Sequence, residues 1–140
     1  MSKIKVYLDT SALYQIFNDE SDIVKLIKFE CITSIQAIME LCISGGVEKN
    51  AEEIALFLSN FCKIRSIDYD VFTKFNSVYP SFNQNPALIL HFSIAMLEGC
   101  EYFVSEDKID INTSLKIIKL SELTENQIEK NQTPSSFDLL

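Results

Sequence analysis

The sequence predicts an α/β domain of three layers, a central parallel sheet with helices on both faces. Short apolar runs rich in β-branched and aromatic residues alternate with longer segments of helical apolar spacing. Strands separated by helical segments favour a parallel sheet covered on both sides. Only 3 Gly and 3 Pro in 140 residues argue for long regular elements, and 47% hydrophobic residues suffice for one sizeable core.

The elements follow in order. Ile4–Leu8 reads as a buried strand that stops at Asp9, and the Thr10-Ser11 pair behind it suits a helix start. Ser11–Asn18 is a short helix with Ala12, Leu13, Ile16 and Phe17 apolar. Asp19–Phe29 fits a second helix capped by Ser21, with Ile23, Val24, Leu26 and Ile27 as its buried side. Cys31–Thr33 is a strand, and Ser34 caps a helix through Leu41. Gly45-Gly46 breaks the chain. Ala51–Cys62 reads as an apolar helix, Lys63–Ile67 as a strand, and Asp68 or Asp70 starts a helix through Val78. The stretch from Tyr79 to Asn85 is a loop. Asn85-Pro86 then starts a helix running to Glu98, with Gly99 ending it. Glu101–Val104 and Leu115–Leu120 complete the sheet, and the polar stretch from Ser121 reads as a mobile tail.

Composition narrows the function classes. No apolar run reaches the roughly 18 residues of a membrane span, and the N-terminus lacks a signal-peptide pattern, so a cytoplasmic protein is expected. Cys31, Cys42, Cys62 and Cys100 form no CxxC pair, and the one histidine, His91, has no zinc-ligand spacing to them; they read as small core residues. His91 itself, on a helix rich in Leu, Phe and Ile, reads as a packed or hydrogen-bonded core group. The net charge of −8 speaks against a broad electrostatic footprint for nucleic acid.

The chemistry lies in the acids. Two strands end in one, Leu8-Asp9 and Val104-Ser105-Glu106-Asp107. In a parallel sheet both ends share the edge where open α/β folds bind ligands. Asp9 equally suits a helix cap. Glu40 interrupts the apolar Ile35–Leu41 segment, so it needs either a partner or an exposed helix side. Two carboxylates about 5 Å apart repel by roughly 3 kcal/mol at an effective dielectric of about 20. Three that converge therefore call for a cation or raised pKa values, and oxygen-only ligands select Mg²⁺ or Mn²⁺.

Three motifs carry a family resemblance. Val6-Tyr7-Leu8-Asp9-Thr10-Ser11, Thr33-Ser34-Ile35-Gln36-Ala37-Ile38-Met39-Glu40-Leu41 and Gly99-Cys100-Glu101-Tyr102-Phe103-Val104-Ser105-Glu106-Asp107 resemble, in order and spacing, the acid-bearing segments of PIN domains. That family comprises metal-dependent ribonucleases and includes the VapC toxins. The resemblance spans about residues 3 to 120 and implies a PIN-like domain over 1–120 with a tail at 121–140. It implies Asp9, Glu40 and Asp107 as catalytic, metal-binding residues for Mg²⁺ or Mn²⁺. Thr10, Ser11 and Ser105 would be hydroxyls that orient them. It further implies an RNA substrate, an antitoxin-like protein partner and a homodimer.

One position departs from the pattern. The family places another Asp at the start of the helix before the late strand, where this chain has Leu88. Asn85, one turn earlier, offers an amide oxygen if it is not occupied as the helix cap, and Asp110 is a peripheral acid. Loss of one carboxylate leaves two expectations: a weakened ribonuclease of VapC type, or a catalytically degenerate PIN domain acting as a protein- or RNA-binding module.

Overall fold

A computed structural model describes residues 3–82, 85–111 and 113–123. Five parallel strands form one sheet in the order β3-β2-β1-β4-β5: β1 (Lys5–Leu8), β2 (Glu30–Ser34), β3 (Cys62–Arg65), β4 (Tyr102–Val104) and β5 (Lys116–Ile118). The helices are α1 (Thr10–Asn18), α2 (Asp22–Leu26), α3 (Ile35–Ser44), α4 (Ala51–Leu58), α5 (Tyr69–Val78) and α6 (Pro86–Leu97). The expected three-layer α/β/α architecture is present.

Strand alternation divides the core in two. Val6 and Leu8 face one side, where α1 to α4 contribute Leu13, Ile16, Leu26, Ile38, Leu41, Ile54 and Leu58. Tyr7 and Ile32 face the other, against Val71 of α5 and Phe92 and Ala95 of α6. Cys31, Cys62 and Cys100 are buried free thiols within these clusters, and Cys42 is half-buried.

Most helix ends are set by local side chains. Asp9, Ser34 and Asp68 each accept a backbone N–H as N-caps of α1, α3 and α5, and Asn50 with Glu53 forms a reciprocal capping box on α4. Gly45 ends α3 at φ 72° and Gly99 follows α6 at φ 74°, a conformation that glycine adopts without strain.

Three expected elements differ. The second helix is only Asp22–Leu26, because Asp19 turns back onto the Ser21 N–H and hydroxyl and so competes with a helical start. Of its expected buried side only Leu26 is fully covered; Val24 and Ile27 are exposed. Helix α4 ends at Leu58, not Cys62: the Ser59 and Asn60 side chains donate to the Leu56 and Phe57 carbonyls. That frees Cys62 to begin β3 in register with Cys31, and β3 ends at Arg65 before Asp68 caps α5. At the far end, Leu120–Glu122 forms a 3-10 turn and Leu123 is fully buried. Leu120 and Leu123 pack into the same core cluster as Val6 and Leu8, and the rest of the expected tail, from 124 on, lies outside the described residues.

Candidate functional site

The chain leaves β1 for β2 on one side and returns to β4 on the other, so the carboxyl end of β1 is a topological switch point. Asp9 stands there, its N–H donating to the Val104 carbonyl at 3.2 Å. The segment following β4 carries Ser105, Glu106 and Asp107 to the same edge. Helix α3 brings Glu40, and α6 brings Leu88 and His91. A cleft of about 330 Å³ is lined by Asp9, Thr10, Glu40, Leu88, His91 and Asp107, together with Asn85, Ala87, Lys108 and Ile109.

Asp9 is only 5% exposed. Its Oδ1 accepts from the Ser11 hydroxyl at 2.7 Å and the Ala12 N–H at 2.9 Å, so cap and site residue coincide. Burial raises its pKa; the hydroxyls of Ser105 and Ser11 and the Ala12 N–H pull the other way without restoring the ordinary value. Ser11 also accepts the Glu106 N–H at 2.8 Å, and Ser105 accepts the Asp107 N–H at 3.1 Å. These two hydroxyls, 3.2 Å apart, stitch the start of α1 to the loop after β4.

Glu40 is held differently. Its Oε1 accepts from Thr10 Oγ1 at 2.5 Å and from His91 Nε2 at 2.7 Å, and its Oε2 accepts from Gln36 Nε2 at 2.8 Å. Burial pushes the carboxyl upward, but the bonds from His91, Thr10 and Gln36 outweigh it and bring its pKa to about 2. Glu40 is thus a partly buried carboxylate kept ionised by three hydrogen-bond donors. His91 is buried, as expected of a hydrogen-bonded core group, and its Nδ1 lies 2.6 Å from the hydroxyl of Tyr7.

Other candidates are placed as follows. Asn85 faces the cleft, but its side-chain oxygen accepts the Ala87 N–H at 2.8 Å as the α6 cap, so it is no free ligand in place of an acid. Asp107 and Asp110 are exposed, and Asp110 does not line the cleft. Glu106 is a structural acid: its Oε2 accepts the Leu120 N–H at 3.0 Å. Tyr7, Ser34 and Gln36 were not foreseen in these contacts. Gln36 and Glu40 stand four apart on one helix, a spacing that pairs side chains; Tyr7 carries no such signal.

The donors suit a hard cation in kind, being carboxylates around one cleft with a desolvated aspartate among them. Their spacing does not make a cage. Among the described residues no three His, Cys, Asp or Glu stand close enough to hold an ion together. Magnesium is commonly held by one or two carboxylates, with waters and substrate phosphates completing its shell. The residues present fit that kind of site and not a closed four-acid one.

Comparison with known proteins concerns the fold. No family model and no curated protein matches the sequence. Solved structures do. A toxin–antitoxin complex from Klebsiella pneumoniae contains a chain with TM-score 0.64 and 13% identity, covering 82% of this chain and 97% of that one. VapBC2 from Rickettsia felis, bound to a DNA fragment from its promoter, matches at TM-score 0.61 and 14% identity over 83% and 98%. VapC20 from Mycobacterium tuberculosis, a toxin that cleaves the sarcin-ricin loop, matches at 0.57 and 12% over 73% and 89%. The chain has a VapC-like PIN-domain fold.

Proposed function

We propose that this chain is a VapC-like ribonuclease of reduced activity, hydrolysing RNA phosphodiesters at the Asp9 cleft with Mg²⁺ or Mn²⁺. One observation carries the reading: a desolvated Asp9 at the switch point of the sheet, in a cleft that Glu40 and Asp107 also face. When bound there, a divalent ion supplies charge neutralisation for the phosphate and a more acidic water. Asp9 and Asp107 are the residues we assign to hold it. Ser11 and Ser105 fix the Asp9 carboxylate and the loop bearing Asp107. Glu40, kept ionised by its three donors, orients a water or the ion's hydration shell. Leu88, where the family has an acid, lowers the charge of the site and with it the affinity for the ion.

The test is cleavage of mixed structured and single-stranded RNA with Mg²⁺ or Mn²⁺ by wild type, Asp9→Asn and Leu88→Asp. Cleavage by wild type that EDTA and Asp9→Asn abolish supports the reading. Silence from wild type with activity in Leu88→Asp overturns it in favour of a PIN scaffold that has lost its chemistry. That second reading, a binding module, is favoured by the Glu40 oxygens, both of which already accept bonds within the protein.

The structural neighbours from toxin–antitoxin complexes support an antitoxin-like partner. The net charge of −8 suits a basic segment on that partner. We propose a homodimer as well, which light scattering of the purified chain checks. No helix among the described residues is long and apolar enough to cross a membrane.

A further inference from the structure

We infer that Tyr7 is a positioning residue of the cleft: from the middle of β1 it fixes His91 as the Nε2–H tautomer, and His91 in turn holds Glu40 against Thr10. This rests on Glu40 being a site residue, but the argument runs through hydrogen-bond polarity and not through catalysis.

The contacts form one unbroken line. Glu40 Oε1 is 2.7 Å from His91 Nε2, His91 Nδ1 is 2.6 Å from the Tyr7 hydroxyl, and that hydroxyl is 2.7 Å from Ser34 Oγ. Ser34 Oγ accepts the Ala37 N–H at 3.1 Å. An ionised carboxylate only accepts, so Nε2 must carry the proton. A neutral imidazole then has Nδ1 as acceptor. The Tyr7 hydroxyl donates to it, and the Tyr7 oxygen accepts from the Ser34 hydroxyl. Ser34 uses its own acceptor capacity for Ala37. Each hydroxyl gives one hydrogen bond and accepts one, and no group in the line is left over.

The surroundings favour this polarity. Tyr7 is fully buried, and its ring stacks on Phe103 at 5.3 Å between centroids. Burial raises the phenol well above its ordinary pKa, so it remains a protonated donor. The open side of the imidazole faces Glu40, and there the proton is matched by an anion.

The line explains two features that packing alone does not. A tyrosine occupies a fully buried strand position where a phenylalanine would fill the same space, because the hydroxyl is needed at Nδ1. The one histidine of the chain lies on an otherwise apolar helix face because it connects that hydroxyl to Glu40. Thr10 then meets the same carboxylate oxygen from the Asp9 side, so the line ends beside the residue that anchors the cleft.

The single histidine makes the test clean. Long-range ¹H–¹⁵N correlation of ¹⁵N-labelled full-length chain at pH 8, without RNA, should show Nε2 pyrrole-like and Nδ1 pyridine-like, as one tautomer. Tyr7→Phe removes only the hydroxyl. It should convert the pattern to a mixture of tautomers and shift the Glu40 carboxyl ¹³C signal, with the far-ultraviolet dichroism unchanged. A wild-type Nδ1–H tautomer, an imidazolium, or a mixture overturns the inference. So does a folded Tyr7→Phe protein with the wild-type imidazole pattern. If Tyr7→Phe does not fold, the wild-type tautomer decides. Loss of the ribonuclease reading would leave these signals as they are, so the two proposals fail separately.

Discussion

Replacing Asp9 by Asn should raise the stability of the fold at neutral pH, whatever it does to chemistry. Asp9 is 5% exposed and its charged form is disfavoured by burial. An Asn in its place still accepts the Ser11 hydroxyl and the Ala12 N–H through its amide oxygen, and Asn ranks with Asp as an N-cap. What disappears is the desolvated charge. Relieving such a functional-site conflict commonly returns about 0.5–2 kcal/mol. Against it stands the loss of an anion at the N-terminus of α1, worth about 0.3–1 kcal/mol. Taking the middle of each range, the net gain is about 0.6 kcal/mol, or a rise in Tm of roughly 2 °C for a chain of this length.

The pH dependence fixes the sign. Asp9 has its folded pKa above the ordinary 3.8, so the wild-type penalty is fully present above the folded pKa and fades as acid protonates the group. The advantage of Asn should therefore shrink between that folded value and about pH 4. The assay is thermal unfolding by circular dichroism in EDTA at pH 7, repeated at lower pH. An Asn variant less stable than wild type at pH 7, or one whose advantage grows with acid, refutes the argument. Adding Mg²⁺ should then raise the Tm of wild type more than that of Asp9→Asn.

Glu40 makes the opposite contribution. Its pKa is lowered to about 2, so its stabilising contacts are complete above the ordinary 4.5 and are lost as pH falls from about 5 toward 2. Partial exposure to solvent limits this to about 1–2 kcal/mol, and Glu40→Gln should flatten that part of the acid-unfolding curve. Leu88→Asp should increase the Mn²⁺-dependent rise in Tm by about 10-fold in apparent affinity, because the new carboxylate faces the same cleft; no change in affinity would show that position 88 does not reach the ion. Arg65→Ala should cost about 1–3 kcal/mol in urea unfolding. It removes ion pairs to Asp68 at 2.7 Å and Glu98 at 2.8 Å and leaves Glu98 with Lys63 at 2.9 Å.

Much of the fold could be read along the chain because its elements are locally marked. Asp9, Ser34, Asn50, Asp68 and Asn85 all sit at helix starts and all bind the N–H groups that such residues are suited to bind. The misread stretches are those where apolar spacing runs past the end of a helix. Val24 and Ile27 have helical spacing but are exposed, so periodicity suggested a longer α2 than burial supports. At the end of α4, Phe61 and Cys62 extend the apolar pattern of the helix, while Ser59 and Asn60 close it by bonding its last carbonyls. Periodicity does not register that competition.

The site divides along the same line. Asp9 and Asp107 are visible because a strand end is a sequence feature, and Glu40 because it breaks an apolar segment. What surrounds them is set by register, which sequence spacing does not convey. Tyr7 is partnered with Ile32 on one side and Phe103 on the other, so its side chain enters the same core cluster as Phe92 of α6, next to His91. Only that placement lets a core tyrosine meet His91 Nδ1 while His91 Nε2 meets Glu40. It also changes what Leu88 means. An acid at position 88 would add a further charge to a cleft where Asp9 is already desolvated. With leucine there, Glu40 accepts hydrogen bonds from Thr10, His91 and Gln36. The leucine and the hydrogen-bond line are thus two parts of one electrostatic solution: fewer charges in the cleft, and one of those remaining neutralised by dipoles from the core. A variant that restores the acid while removing the line, Leu88→Asp with Tyr7→Phe, should depend more on divalent ions for its stability than either single change. Additive effects of the two substitutions would show that they are independent.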